Sequence, residues 1–226
     1  MFDPSQHIEP YSSYVRSGAN YDNHTADLGY CLPQIVFEEL QPILRKGWRI
    51  LDVGCGSGLS AERFRGPDLE LVGLDGSQEL LTLAREKHLY SHLDHVVVGK
   101  DRFPHTNHDF NISMALSVMA HFPSASLLPR LLQGAVCNKG LIVFNYLDLE
   151  DYSDLEFTTD DSGGTIESSD KNFGEVPGYY HRRTEIEAAL EELCVHEHYI
   201  LPAYGYMGIF RSPTRIVVGQ YMPKDS

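Results

Sequence analysis

Three glycines on alternate positions, Gly54, Gly56 and Gly58, follow an acid, Asp52, in the run Arg49-Ile-Leu-Asp-Val-Gly-Cys-Gly-Ser-Gly58. A short apolar run of this kind predicts a buried strand, and the glycines predict a loop that has shed its side chains. Such a loop at a strand end lets a ligand approach the backbone closely. The spacing is G-x-G-x-G. It differs from the G-x-G-x-x-G of nicotinamide dinucleotide sites, in which the third glycine would fall at Leu59. That loop cradles a pyrophosphate, and Asp52 would repel one. An amino group or hydroxyls suit Asp52 better. A second acid, Asp75, ends the run Leu71-Val-Gly-Leu-Asp75 and precedes Gly76. A carboxylate there can accept from both hydroxyls of a ribose. Nicotinamide sites use the same physics, so Asp75 alone does not discriminate, and a helix-start acid is its plain alternative.

Side chains able to move a proton form a second group: His121, Tyr146, Tyr180, His181 and Tyr206. Tyr11, Tyr14 and His24 near the N-terminus are candidates for a lid. No metal site is expected. His88 and His92 have the i, i+4 spacing of helical ligands, but no H-E-x-x-H or cysteine partner accompanies them. His196-Glu-His198 reads as a half-exposed strand face. Cys31, Cys55, Cys137 and Cys194 form no C-x-x-C pair and read as free thiols in a reducing compartment.

The elements that must position these groups alternate. Pro33 to Leu44 predicts a helix that Pro42 shortens. Strands are predicted over Arg49 to Val53, Glu70 to Leu74, His95 to Val98, Phe110 to Leu116 and Gly140 to Leu147. Ser77 caps a helix reaching Lys87, and a helix interrupted at Pro129 runs from Ser126 to Val136. Thr184-Glu-Ile-Glu187 reads as a capping box opening a helix to Leu193. Val195 to Ala203 and Arg215 to Tyr221 complete the strands, with the aromatic Tyr204 to Pro213 between them. Strands alternating with helices imply an α/β fold with a parallel sheet covered on both faces. Residues 1–30 show little periodicity. Asp148 to Gly178 is acidic and aperiodic, as a functional insertion would be.

The length suits one domain, residues 1–226. With 18 Lys+Arg against 32 Asp+Glu, the formal charge is −14, so a nucleic-acid substrate is not expected. The N-terminus lacks the pattern of a secretory signal and no apolar run spans a bilayer. A cytoplasmic protein without membrane contact, monomer or homodimer, is the expectation.

LDVGCGSG resembles the cofactor loop of class I S-adenosylmethionine-dependent methyltransferases. Leu71 to Asp75 is similar to that family's second strand and ribose-binding acid. Val96-Val-Val-Gly-Lys-Asp101 resembles its third strand and adenine-side acid. Phe110 to Leu116 with Ser117-Val-Met-Ala-His-Phe122 resembles its fourth strand and exit loop. Tyr21-Asp22 with Leu28 to Pro33 is similar to a subgroup that includes the Williams–Beuren-region methyltransferase. The resemblance spans Tyr21 to Leu147 and implies a Rossmann-like, doubly wound, seven-stranded sheet, mostly parallel with the last strand antiparallel. It implies S-adenosyl-L-methionine as cofactor, held by Tyr21, Asp52, Gly54, Gly56, Gly58, Asp75, Gly76, Ser77, Asp101, Arg102 and Ser117. It places His121 near the transferred methyl, as a base or as packing, with Tyr146 and His181 as further catalytic candidates. Residues 1–45 and the 148–180 insertion would lie over the site. The implied activity is methylation of a small molecule on oxygen, nitrogen or carbon. The competing readings are a non-methylating cofactor-binding protein or cyclase of the same fold, and a nicotinamide-dependent oxidoreductase, which Leu59 opposes.

Overall fold

In a computed structural model, residues 3–65, 68–152, 155–167, 178–203 and 214–223 are described. In chain order the elements are α1 (Glu9–Arg16), α2 (Tyr21–Asp27), α3 (Leu32–Leu40), β1 (Arg49–Val53), α4 (Leu59–Arg63), β2 (Glu70–Asp75), α5 (Gln78–Glu86), β3 (His92–His95), β4 (Phe110–Ala115), α6 (Leu127–Ala135), β5 (Val136–Asp148), β6 (Phe157–Thr159), β7 (Thr165–Glu167), β8 (Tyr179–His181), α7 (Arg183–Glu192), β9 (Val195–Ala203) and β10 (Thr214–Tyr221). Short 3₁₀ turns cover Pro4–His7, Met119–His121 and Leu149–Tyr152.

Seven strands run in the order β3-β2-β1-β4-β5-β10-β9. The first five pair in parallel, and β10 is antiparallel to both β5 and β9. Among the described residues the sheet nevertheless has ten strands rather than the seven expected. The insertion supplies β6, β7 and β8, and β8 joins the end of β5 through Leu147–Tyr180 and Asp148–His181. Alternate residues of each strand fall into two apolar layers. Leu51, Val53, Val72, Leu74, Ile142, Phe144 and Val217 pack with Leu128 and Leu132 of α6 and Ile186 and Leu190 of α7. Ile50, Leu71, Ile112, Met114, Val143, Ile216 and Val218 pack with Leu32, Val36 and Leu40 of α3 and Ala61 of α4. Both faces are therefore covered by helices, as a doubly wound sheet requires.

Several boundaries differ from the sequence expectation. α3 ends at Leu40, before Pro42. β3 lies at His92–His95, three residues early, because that segment pairs with Val72–Asp75; Val96 and Val98 fill the core without joining the sheet. His88 consequently sits outside the helix, so it and His92 share no helix face. α6 is unbroken at Pro129 because proline in the first turn forfeits no helical hydrogen bond. α7 starts two residues earlier than the Thr184 box implies, with Arg182 as its cap and the Arg182 N–H donating to Glu185 at 2.9 Å. The aromatic segment Tyr204 to Pro213, with Tyr206, lies outside the described residues, as does Pro177.

Candidate active site

β1 ends inside the sheet and its chain turns back onto β2. The Leu74 carbonyl accepts from the N–H groups of both Gly54 (2.7 Å) and Cys55 (3.0 Å). This anchors the glycine loop beside the end of β2. All three glycines have positive φ, which residues with a Cβ adopt at a cost. At Gly54 a Cβ would also lie 2.4 Å from Val118 Cγ2. Gly54→Ala is therefore expected to destabilise the fold by about 2 kcal/mol, combining left-handed strain with a forced shift of Val118. Denaturant unfolding of the variant checks this; wild-type stability would mean that the loop relaxes freely.

Asp75 sits where β2 meets that loop. Its Oδ2 accepts from the Gly56 N–H at 2.8 Å and its Oδ1 from the Ser77 N–H at 2.7 Å. Each oxygen keeps a second acceptor direction. Desolvation pushes the carboxyl pKa up, opposed by these two backbone donors. A carboxylate fixed in this way, short of compensation and at the rim of a cavity, suits a vicinal pair of hydroxyls. Ser77 caps α5 through the Leu80 N–H and touches Ser12 Oγ of α1 at 2.7 Å.

The cavity has a volume of about 430 Å³. Its floor is Gly54, Gly56, Ser57, Asp75, Gly76, Ser77, Val98, Leu116 and Ser117. Its roof comes from residues N-terminal to α3, among them His7, Ile8, Tyr11, Tyr14, Tyr21 and His24. α1 and α2, which the sequence does not announce, are held down by polar contacts with distant residues. Arg16 bonds Glu79 at 2.7 Å. Asp22 accepts from Ser57 of the glycine loop and pairs with Lys87 at 2.6 Å.

Beyond β4 the backbone is strained. Ser117 has φ +63, uncommon for a residue with a Cβ. Its N–H donates to Asn145 Oδ1 at 2.6 Å, and Asn145 Nδ2 donates to Thr214 Oγ1 at 3.0 Å. Thr214 in turn donates to the Tyr146 carbonyl at 2.8 Å. Asn145 and Thr214 thus shape the cavity floor from strands that do not line it. Sequence reading missed both, since a polar residue inside an apolar strand run was the sole signal.

His121, in the turn after β4, lines the cavity. Its Nε2 lies 3.4 Å from the Tyr11 hydroxyl and its Nδ1 lies 3.2 Å from Nδ1 of His7. Burial pushes the His121 pKa down to about 3, with the His7 charge adding to it; burial alone pushes His7 to about 4. Both rings are neutral at physiological pH.

Other predicted residues stand elsewhere. Gly58 begins α4 behind the loop, its Cβ position 3.2 Å from the Tyr90 ring. Asp52 is buried and does not line the cavity. Its Oδ2 accepts from the Tyr90 hydroxyl at 2.8 Å and its Oδ1 has no partner among the described residues. Desolvation pushes its pKa up to about 7. Asp101 and Arg102 are exposed and away from the cavity; Asp101 accepts from the Val97 N–H at 2.8 Å. Tyr146 is fully buried with its hydroxyl on Asp148 at 3.3 Å. His181 lines a separate cavity of about 320 Å³ between the chain after His121 and α7. Cys55 stays a thiol, because burial and then the Asp75 and Asp52 charges push its pKa up. Among the described residues no three His, Cys, Asp or Glu side chains are grouped to hold a metal, and no helix is long and apolar enough to cross a membrane.

Residues 50–136 match the family model of a methyltransferase domain. The chain is 32% identical over 111 residues to methyltransferase-like protein 27 of Homo sapiens, covering 47% of this chain and 45% of that protein. It therefore spans less than half the length of the curated relatives it matches. A solved S-adenosylmethionine-dependent methyltransferase from Thermotoga maritima superposes with a TM-score of 0.66 at 10% identity, covering 95% of this chain and 99% of that one. A Haemonchus contortus phosphoethanolamine N-methyltransferase, solved with phosphomonomethylethanolamine and S-adenosylhomocysteine, gives 0.66 at 12% identity, covering 99% and 61%. Residues 50–136 thus match a methyltransferase domain, and the fold is that of solved S-adenosylmethionine-dependent methyltransferases.

Proposed function

We propose that the chain transfers a methyl group from S-adenosylmethionine to a small molecule. The observation that carries this is one cavity joining the glycine loop and Asp75 at one end to His121, Tyr11 and Tyr21 at the other. Asp75 suits the ribose hydroxyls, and the bare backbone of Gly54 and Gly56 suits close approach of the cofactor. Gly76, Ser77 and Ser117 complete that floor. Tyr21 belongs to the roof, and Asp52 acts through the loop rather than by contact. When bound, the cofactor supplies an electrophilic methyl on a positively charged sulfur. The chain's own part is to align a nucleophile and exclude water. We assign residues 1–45 and the 148–180 insertion to enclosing the substrate. A roof of N-terminal residues over the glycine loop favours a small molecule over a polymer, and the net charge of −14 disfavours nucleic acid.

Titrating S-adenosylhomocysteine into a thermal melt tests this reading, with NAD as control. At 100 times its dissociation constant the ligand is expected to stabilise the fold by about 2.7 kcal/mol. A larger shift with NAD, or none with S-adenosylhomocysteine, would sink it. Mass spectrometry of candidate acceptors for the gain of one methyl separates transfer from mere cofactor binding.

A further inference from the structure

His7 lies outside the matched domain, in the 3₁₀ turn Pro4–His7, yet its ring meets His121 across 114 residues of sequence. The ring centroids are 5.1 Å apart at 61°, with the two Nδ1 atoms 3.2 Å apart. His7 is itself buried, with its centroid 6.0 Å from that of Tyr179. Each neutral imidazole carries one N–H and one lone pair. A single proton therefore lies between the two Nδ1 atoms, and its owner decides the state of His121 Nε2 on the cavity side. If His7 donates, His121 Nε2 carries the other proton and cannot accept. If His121 donates, Nε2 presents a lone pair. The Tyr11 hydroxyl beside Nε2 favours the second, and His7 Nδ1 supplies the acceptor without which His121 Nδ1–H would be left unpaired in that direction. A phenol is a better donor than acceptor, since its lone pairs delocalise into the ring. The chain of bonds then runs one way, from Tyr11 O–H to His121 Nε2 and from His121 Nδ1–H to His7 Nδ1, each polarising the next.

We propose that His7 is a positioning residue that fixes His121 as the Nδ1–H tautomer, so that Nε2 is the proton acceptor for a neutral hydroxyl or amine nucleophile. This rests on the methyltransferase reading above. In the step, the nucleophile's O–H or N–H bond breaks and its electron pair stays on the nucleophile. The proton passes to His121 Nε2, directly or through the Tyr11 hydroxyl. The His7 lone pair facing that Nδ1–H offsets part of the desolvation that otherwise disfavours the imidazolium. A carboxylate or thiolate substrate would need none of this, so the arrangement selects the neutral class.

The test is the tautomer itself, read by multiple-bond ¹H–¹⁵N spectra of the full chain labelled at histidine, with and without S-adenosylhomocysteine. Wild type is expected to show His121 protonated at Nδ1 and His7 at Nε2. His7→Phe should abolish the fixed tautomer of His121, and His7→Asn, whose carbonyl oxygen can accept in place of Nδ1, should restore it. Once an acceptor is known, His7→Phe should lower kcat by roughly 10- to 100-fold, as loss of an orienting partner does, with the cofactor KM unchanged. His121 protonated at Nε2 in wild type, or unaltered in His7→Phe, would overturn the proposal. If His7→Phe does not fold, the wild-type spectrum alone decides. The free protein reports the tautomer whether or not S-adenosylhomocysteine binds, so failure of this proposal is distinguishable from failure of the methyltransferase reading.

Discussion

Asp75→Ala is expected to weaken S-adenosylhomocysteine binding by about 2–4 kcal/mol, roughly 30- to 900-fold, because ribose hydroxyls lose a charged acceptor in a desolvated site. Calorimetric titration measures it. The variant also strips the Gly56 and Ser77 N–H groups of their acceptor, so its folding stability must be read alongside. Asp75→Asn separates the two effects, since its carbonyl can still accept from one of those groups while the negative charge is gone. Weak binding by both variants, with a near-normal melt for Asp75→Asn, supports direct ligation. Wild-type affinity in either would reduce Asp75 to a loop brace.

The second large effect is expected at Asp52. Its folded pKa of about 7 lies above that of an unfolded carboxyl. Between about pH 4 and pH 7 the folded state then holds a proton that the unfolded chain has released. Stability contributed by this group is whole below that window and falls as pH rises through it. Asp52→Asn keeps an oxygen for the Tyr90 hydroxyl and has no charge to bury. It should flatten that slope and stabilise the protein at pH 8 by on the order of 3 kcal/mol. Urea unfolding at pH 5 and pH 8 is the measurement. An unchanged slope would show that Asp52 is ionised in the fold without strain. A loss of S-adenosylhomocysteine affinity above tenfold would show instead that Asp52 touches the cofactor.

What the sequence made legible was local. β1, β2 and β4 are short apolar runs, and Ser77 is a helix cap followed by apolar residues at helical spacing, so pattern and structure coincide there. β3 failed this test because His92-Leu-Asp-His95 is a polar edge strand defined by its pairing with β2, whereas the apolar Val96 to Val98 drew attention to the wrong side. α1 and α2 only half-bury their apolar side chains, such as Tyr11, Tyr14 and Tyr21; Ser12 is their one fully buried residue. Their anchors, at Ser77, Glu79 and Ser57, lie 35 to 65 residues away in sequence, beyond any periodicity. The same applies to the site. The glycine loop and Asp75 carry a dense local motif, while the partnership of His121 with His7 and Tyr11 arises only when the N-terminal helices fold over the sheet.

The Ser117–Asn145–Thr214–Tyr146 relay bears on how this domain can be cut and recombined. The family match stops at residue 136. A fragment ending there would retain the glycine loop and Asp75, yet would lack both the amide that holds Ser117 in its left-handed conformation and the hydroxyl that orients that amide. The recognisable motif and the inheritable unit are therefore different lengths. Exchanging the last strand between relatives would change the shape of the cavity floor without altering a single residue that lines it, so β10 is a handle on specificity that lies between β5 and β9, out of reach of the ligand.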